Sequence, residues 1–502
     1  MQLHLERGSG LALHRQIETQ IRGLIESGVL DAGSRLPPTR ELAQTLGVNR
    51  ATVTTAYDAL VASGLVEATV GRGTEVLGRG AAPRPGVTVV PGSAPDWASV
   101  LASNIERRSA FADAFMPQDR TRGHLDFTSL VPDEQFFPVD RLRKCLDDVM
   151  RRDGASLLQY GPPAGYEPFR ALLAHRMRLV GMQVDASDVL VVNGAQQGLD
   201  LFCRALLDPG DAVAVESPTY GNLLPVLRLH RAEGIPVPMT PEGVDLDALA
   251  QVLATRRVKF LYTMPHFQNP TGITSTPLHR KRLLELAARH ALTILEDGYE
   301  EDLRWDGGEM LPLRALDTTG RVCYLGTFSK GLVPGFRVGW LVAHRDLLGY
   351  LAALKRNTDY HTSLVLQAAL AEFCRRGDYD AHLRRLRRTY RTRMQAAQRA
   401  FETHLPATAR WRVPQGGYCL WVELPDRVDF DELDARLRHD GVHVTAGRHF
   451  FLGEPPYGCF RMSISRVDVD GIESGIAIVG KHLREMIRAE SRPAPRAARP
   501  YV

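Results

Sequence analysis

The chain has 502 residues, 44% hydrophobic and 24% charged, the balance of a globular protein with core enough to need no disulfide or metal staple. A formal net charge of +4 excludes a wholesale polyanion binder but leaves room for a local basic patch. The six cysteines, Cys145, Cys203, Cys323, Cys374, Cys419 and Cys459, form no CxxC pair, which excludes zinc and dithiol motifs and suits a reducing compartment. Residues 1–10 lack the apolar core of a signal peptide. No apolar run reaches the ~18 residues of a membrane helix, so a cytoplasmic protein with no membrane partner is expected. Four segments differ in texture: a compact head (1–78), an irregular linker (79–123), a body of alternating β-like and α-like runs (124–488) and a disordered tail (489–502).

In the head, Leu13, Ile17, Ile21, Leu24 and Ile25 recur at the spacing of a helix with one buried face. Pro37-Pro38 stops the chain. Thr39 is expected to cap a short helix, Arg40–Leu46, closed by Gly47. Asn49 then caps a third helix, Arg50–Ser63, with Val53, Ala56, Tyr57, Leu60 and Val61 as its buried stripe. Arg50, Thr52, Thr54 and Thr55 stay off that stripe. Two helices across a tight glycine turn form a helix-turn-helix, whose second helix enters the DNA major groove. Leu65–Thr69 and Thr74–Leu77 flank Gly71-Arg72-Gly73, which predicts a β-hairpin wing with an arginine at its tip. The head carries seven arginines against eight acids, so a small helical oligomerisation domain is the competing reading. Its arginines nonetheless gather at the turn and wing tip, as Arg35, Arg40, Arg50 and Arg72, where phosphate contacts would form.

In the body, Val189–Val192, Ala212–Val215, Phe260–Tyr262, Thr293–Leu295 and Val322–Leu325 are short apolar runs separated by helical patterns such as Leu278–Ala291. Alternation of this kind predicts a mainly parallel sheet covered on both faces. Ligands of such sheets bind beyond the carboxyl ends of the strands. Those ends carry Asn193-Gly194-Ala195-Gln196, Ser217-Pro218-Thr219-Tyr220, His266-Phe-Gln-Asn269-Pro-Thr-Gly272, Glu296-Asp297-Gly-Tyr299 and Thr327-Phe-Ser329-Lys330, with Arg337 seven residues on. The set answers the demands of pyridoxal phosphate: a lysine for the Schiff base, a carboxylate to keep the pyridine nitrogen protonated, and donors at a helix start for the phosphate. His266 is either a substrate contact or a structural residue. The arginine-rich stretch Arg375–Arg393, above a stripe of Leu383, Leu386, Tyr390 and Met394, is expected to be a solvated helix face.

The wording Arg35-Leu-Pro-Pro-Thr-Arg-Glu-Leu-Ala, Leu46-Gly-Val-Asn-Arg-Ala-Thr-Val and Gly71-Arg-Gly-Thr resembles the winged helix-turn-helix of GntR regulators. The resemblance puts Arg35, Arg40, Arg50, Thr52 and Gly73 at double-stranded DNA. The order of the body motifs resembles the fold-type I, class I aminotransferases, with a smaller C-terminal α/β subdomain. It implies Lys330 as the Schiff-base lysine and Asp297 at the pyridine nitrogen. Asn269 and Tyr299 would bond the ring oxygen, and Tyr220 would stack on the ring. Ala195, Gln196, Thr327, Ser329 and Arg337 would hold the phosphate. Ala195 departs from the Ser or Thr of many relatives, which removes one side-chain bond. Tyr160, in Gln159-Tyr-Gly-Pro-Pro-Ala-Gly165, would reach the neighbouring subunit's phosphate, and Arg461 would clamp a substrate carboxylate, a task that suits a bidentate guanidinium.

Head, linker and body together resemble the MocR/GabR subfamily of GntR-type regulators. That implies a homodimer, head-to-tail with swapped heads, in which an amine or amino-acid effector is sensed by aldimine exchange at Lys330. Two alternatives stay open at this point: a working aminotransferase with an attached DNA-binding head, and a sensor of pyridoxal phosphate itself that controls cofactor synthesis.

Overall fold

The structure, a computed structural model, describes residues 3–6, 11–69, 73–77, 100–101, 124–308, 310–425 and 428–490. It divides into two compact units, Met1–Leu101 and Ala102–Val502. The wing-tip Arg72, the linker 79–123 (apart from 100–101) and residues 491–502 of the expected tail lie outside the described residues, while residues 489–490, expected in that tail, end the helix Val469–Glu490.

In the first unit, α1 (Leu13–Glu26) buries Gln16, Ile17, Ile21 and Ile25, while Leu13 and Leu24 are half-buried. Helix α2 (Thr39–Leu46) begins one residue earlier than expected, and Thr39 is not its cap. The Pro38 carbonyl accepts the first helical bond, from Leu42 N–H at 3.0 Å, so Thr39 already lies in the first turn. Gly47 closes α2 in the left-handed region, φ 61°, where only glycine escapes the Cβ penalty. Helix α3 (Arg50–Ala62) is capped as expected, Asn49 accepting from Ala51 N–H. Val53, Ala56, Tyr57 and Leu60 are buried, but Val61 is 39% exposed; one residue past Leu60, it has turned about 100° away from the stripe. The wing is an antiparallel hairpin of β2 (Val66–Thr69) and β3 (Gly73–Val76). A strand the sequence did not reveal, β1 (Arg35–Leu36), pairs with β3. Arg35 therefore lies in a strand opposite Glu75 rather than in a turn. Two residues are too few to display an alternating pattern.

The second unit is built on an eight-stranded sheet. Its members are β5 (Val189–Val192), β6 (Ala212–Ser217), β7 (Glu233–Thr240), β8 (Gly243–Val244), β9 (Val258–Thr263), β10 (Thr293–Asp297), β11 (Val322–Thr327) and β12 (Gly339–Val342), in the order β5-β12-β11-β10-β9-β6-β7-β8. Pairs β11–β10, β10–β9, β9–β6 and β6–β7 are parallel, while β12 and β8 run against their neighbours. The period of two splits β5 between two cores: Val189 and Val191 pack with Phe169 and Leu173, Leu190 and Val192 with Leu199 and Phe202. Four of the five expected strands extend past their apolar runs, because Glu216, Ser217, Thr263, Glu296, Asp297 and Thr327 remain in the ladder. The helix expected over 278–291 spans Pro277–Arg289; Ala291, at φ 52°, has left helical geometry.

The C-terminal subdomain holds an antiparallel sheet, β13-β14-β17-β16: β13 (Arg410–Trp411), β14 (Cys419–Glu423), β16 (Thr445–Ala446) and β17 (Cys459–Ser463). Beside it β15 (Val442–His443) pairs in parallel with β4 (Leu125–Asp126), which ties the start of the body to its end. The arginine-rich stretch is divided: Arg375 ends the helix Leu364–Arg375, and from Asp378 the stretch lies on a 27-residue helix, Asp378–His404. Leu383, Leu386, Tyr390 and Met394 are buried as the pattern implied. The solvated-face expectation holds for Arg384, Arg385, Arg388 and Arg391 but fails for Arg393, which is buried against Asp133 at 3.0 Å. Among the described residues no helix is long and apolar enough to cross a membrane.

Candidate functional site, a cofactor pocket at the strand ends

Lys330 follows β11, and its ammonium donates to the Leu130 carbonyl at 2.6 Å. Burial holds it below its usual range, and the neighbouring carboxyl of Glu300 pulls the other way. Asp297, the last residue of β10, is 3% exposed. Tyr262 OH donates to its Oδ2 at 2.6 Å, while Oδ1 is buried with no partner. Desolvation pushes this carboxyl up to about 6, against the opposing pull of the Tyr262 hydroxyl, the Tyr299 backbone N–H and Lys330. An uncompensated buried carboxylate oxygen is costly, and a cationic ring nitrogen is the kind of partner that removes the cost.

Opposite, Arg461 lies in β17 and is 2% exposed. It donates to Asn269 Oδ1 at 3.1 Å and to the Thr128 carbonyl at 2.8 Å, with its guanidinium carbon 5.1 Å from the Phe450 ring centre. Its Nε is buried without a partner. Tyr299 OH donates to the Phe267 carbonyl at 2.7 Å, so this hydroxyl is already engaged. Tyr220 OH accepts from Asn222 at 3.1 Å and reaches Gln196 Oε1 at 3.4 Å. Asp297, Arg337 and Arg461 are all near enough to act electrostatically on Tyr220, so these side chains converge on one pocket.

The cradle at the other end of the pocket starts at Gly194, φ 80°, which precedes the helix Ala195–Leu206. The leading N–H groups of that helix, at Ala195 and Gln196, have no intrahelical acceptor, and the helix dipole favours an anion there. A Cβ at position 194 would lie 2.5 Å from Arg337 Nη2, so glycine is what lets the guanidinium close over the turn. Thr327 Oγ1 sits 3.0 Å from Ser329 Oγ and accepts the Ser329 N–H at 3.1 Å. The orphaned Asp297 oxygen, the half-buried lysine and the glycine-arginine cradle fit the ring nitrogen, aldehyde and phosphate of pyridoxal phosphate respectively.

Of the residues expected from sequence, the structure gathers Lys330, Asp297, Asn269, Tyr299, Tyr220 and Arg461 into this pocket, with Ala195, Gln196, Thr327, Ser329 and Arg337 around the cradle. Tyr160 is apart from them, 83% exposed and packed near Tyr360 and His361. His266 is buried against Arg280, Nε2 to Nη1 3.1 Å, which is the structural alternative. Sequence reasoning missed Tyr262, Glu300 and the Leu130 carbonyl. A tyrosine inside an otherwise apolar strand was the available signal for Tyr262, since a buried hydroxyl needs a partner.

In the first unit, Arg35, Arg40 and Arg50 are exposed and Thr52 half-buried. Arg50 Nε donates to Thr39 Oγ1 at 3.4 Å, which lays its guanidinium back toward α2. Gly73 opens β3 with φ 93°. Among the described residues none of these three arginines pairs with a carboxylate.

Comparison with known proteins agrees with both halves. Residues 129–478 match the family "Aminotransferase class I and II", and residues 13–76 match "Bacterial regulatory proteins, gntR family". The uncharacterized HTH-type transcriptional regulator YdfD of Bacillus subtilis (strain 168) is 30% identical over 479 residues, covering 95% of this chain and 97% of its own. The probable rhizopine catabolism regulatory protein MocR of Rhizobium meliloti is 31% identical over 477 residues, 94% of each. Among solved structures, the α-aminoadipate aminotransferase LysN of Thermus thermophilus, complexed with N-(5'-phosphopyridoxyl)-L-leucine, superposes with a TM-score of 0.72 at 32% identity, over 78% of this chain and 99% of its own. The cofactor is accordingly pyridoxal phosphate. A GntR winged helix-turn-helix joined to a fold-type I aminotransferase body, in relatives that match nearly end to end, places the chain in the MocR/GabR-type subfamily of GntR transcription regulators.

Proposed function

We propose that this DNA-binding regulator senses an amine or amino acid by exchange at Lys330. The observation that carries the reading is that Lys330, the orphaned Asp297 oxygen and the buried Arg461 gather at one site, on the same chain as a DNA-binding head. Pyridoxal phosphate supplies an electrophilic carbon that an amine can take over from the lysine. Asp297 holds the ring nitrogen's proton. Asn269 offers its amide to the ring oxygen, having given its carbonyl to Arg461. Arg461, with an unpartnered Nε, receives the effector's carboxylate. Lys330, whose amine burial holds below its usual range, would serve as a base for an amine bound at the cofactor.

The active form in this reading is a head-to-tail homodimer. The exposure of Tyr160, a large aromatic 83% open to solvent, supports a role completed by a second subunit at whose phosphate its hydroxyl lands. The effector shifts the heads only if it binds one arrangement better than the other. A DNA-binding titration with the sequence upstream of the protein's own gene, with and without pyridoxal phosphate and across a panel of amines, tests this. Wild-type protein is expected to change affinity only when cofactor and amine are both present, and Lys330→Ala to lose that response. A wild-type response from Lys330→Ala, or sustained turnover of an amino acid with a keto acid at metabolic rates, would sink the reading.

A further inference from the structure

The exchange proposed for Lys330 makes no use of Glu300, three residues past Asp297. This carboxyl is 1% exposed. Its Oε2 accepts the Tyr418 N–H at 3.1 Å, while Oε1 is buried with no partner. The Tyr299 hydroxyl is close enough to act on it but is spent on the Phe267 carbonyl at 2.7 Å. A buried carboxyl oxygen without a donor is costly and rare.

The chain is shaped to hold Glu300 in this place. Gly417, φ 74°, passes so close that a Cβ there would collide with Glu300 Oε2. The next residue, Tyr418, binds Glu300 through its N–H and donates its hydroxyl to the Lys330 carbonyl at 2.7 Å. Tyr418 is fully buried, its ring edge-on to that of Tyr390 with centres 4.6 Å apart. One fixed residue therefore ties Glu300 to Lys330. The Lys330 ammonium gives one hydrogen to the Leu130 carbonyl, at 2.6 Å, and has others to offer.

Glu300, Arg461, Cys419 and Asp297 face Lys330, and Lys330, Arg461, Tyr299, Tyr418 and Cys419 face Glu300. Lys330 and Glu300 are each the strongest charge acting on the other. Burial pushes the lysine down and the carboxyl up, and their attraction opposes both shifts. Asp297 acts on Lys330 more weakly than Glu300 does, so the acid suited to the ring nitrogen is not the lysine's main counter-charge.

We propose that Glu300 is a positioning residue for the Lys330 nitrogen: its carboxylate is the counter-ion that keeps a proton on that nitrogen, whether free or joined to the cofactor. This deepens the exchange at Lys330 and rests on that reading. An incoming amine bonds to the cofactor carbon, the lysine nitrogen leaves it, and the amine's two hydrogens end on the lysine. The carbon is most open to attack while the lysine nitrogen is protonated, so Glu300 sets the pH range over which an effector can displace Lys330.

Two pH titrations of the full-length protein test this. With the cofactor bound, visible absorbance follows the proton on the joined nitrogen. In cofactor-free protein, acetic anhydride modifies only the neutral amine, and mass spectrometry of the Lys330 peptide gives its extent. An opposite charge at close range favours the protonated amine, so Glu300→Gln is expected to lower both midpoints by about one pH unit or more. Glu300→Asp keeps the charge but withdraws it by one methylene, and should fall between Glu300→Gln and wild type. It serves alone if the unfolding midpoint shows that Glu300→Gln does not fold. Glu301→Gln is the control. Glu301 is a half-buried acid that accepts from Tyr324 at 2.5 Å, and its replacement should move neither midpoint. If Glu300 only fills a polar niche, the isosteric glutamine leaves both midpoints where they were. Either midpoint unmoved in Glu300→Gln, or moved as far by Glu301→Gln, overturns the proposal. The cofactor-free titration involves neither effector nor DNA, so its outcome is distinct from that of the sensing role, which Lys330→Ala tests.

Discussion

At Asp297 binding and stability pull in opposite directions. The carboxyl is 3% exposed, and desolvation pushes it from 3.8 up to about 6. Between those values the folded state holds the proton that the unfolded chain has lost, so this group's contribution is fully present below about pH 4 and falls as pH rises through about 6. The shift corresponds to about 3 kcal/mol. In cofactor-free protein, Asp297→Asn is therefore expected to be stabilising at pH 8 relative to its effect at pH 4, by about that amount, while weakening pyridoxal phosphate binding. Unfolding midpoints of both forms across pH check this, and parallel profiles would refute it. The same residue shows what a sequence does and does not display. Asp297, Lys330 and Asn269 were legible from their order and spacing at successive strand ends, because each alone reads as an ordinary cap or turn residue and only together do they meet the demands of one cofactor. Tyr262 and Glu300 were not. Tyr262 acts across 35 residues inside a run that reads as core. Glu300 follows Tyr299 in an acidic stretch that looks solvated, and only the tertiary fold turns it toward Lys330.

At the scale of elements, the long helix Asp378–His404 is pinned to the rest of the body by its one deeply buried guanidinium. Arg393 pairs with Asp133 at 3.0 Å and donates to the Ser465 carbonyl at 2.6 Å. Arg393→Ala would leave Asp133 without its counter-charge, its oxygens keeping only the Gln135 donors, and removing one member of a buried pair costs about 3 kcal/mol or more. Denaturant unfolding of the variant measures it; a loss under about 1 kcal/mol would mean the pair behaves as a surface one. The helical spacing did set Arg393 apart, three residues after Tyr390 and seven after Leu386 on the buried stripe, while the composition of the stretch pointed to solvent. Strand cores were readable for the opposite reason. The fully apolar β5 matched its run end to end, whereas β10 and β11 outran theirs into the site. In the head, the cap at Asn49 was readable from its chemistry, but Thr39 was displaced by the carbonyl of Pro38. The start of α3 then bears on DNA. If Arg50 meets a phosphate, Arg50→Ala lowers affinity alike for all sequences and reduces the slope of log affinity against log salt by about 0.9. A loss of sequence preference with the slope unchanged would assign it to a base edge instead.

For the whole molecule, a head that binds DNA and a body that binds an amine constitute a regulator only if the two events share free energy. The chain supplies two compact units, and their coupling is a thermodynamic quantity that can be read from either end. If cofactor-bound amine changes DNA affinity by some factor, DNA must change amine affinity by the same factor. A switch in the usual range of coupling, about 1–3 kcal/mol, means a change of about 5- to 150-fold in both directions. An enzyme carrying an uncoupled head obeys no such relation, because its amine affinity is blind to DNA. Amine titrations followed by cofactor absorbance, with and without the upstream DNA at saturation, are thus expected to differ by the factor found in the DNA titrations. Lys330→Ala should abolish the amine's effect on DNA and the DNA's effect on the amine together. Equal amine affinities in the presence and absence of DNA would leave the body an aminotransferase that happens to be tethered to a promoter.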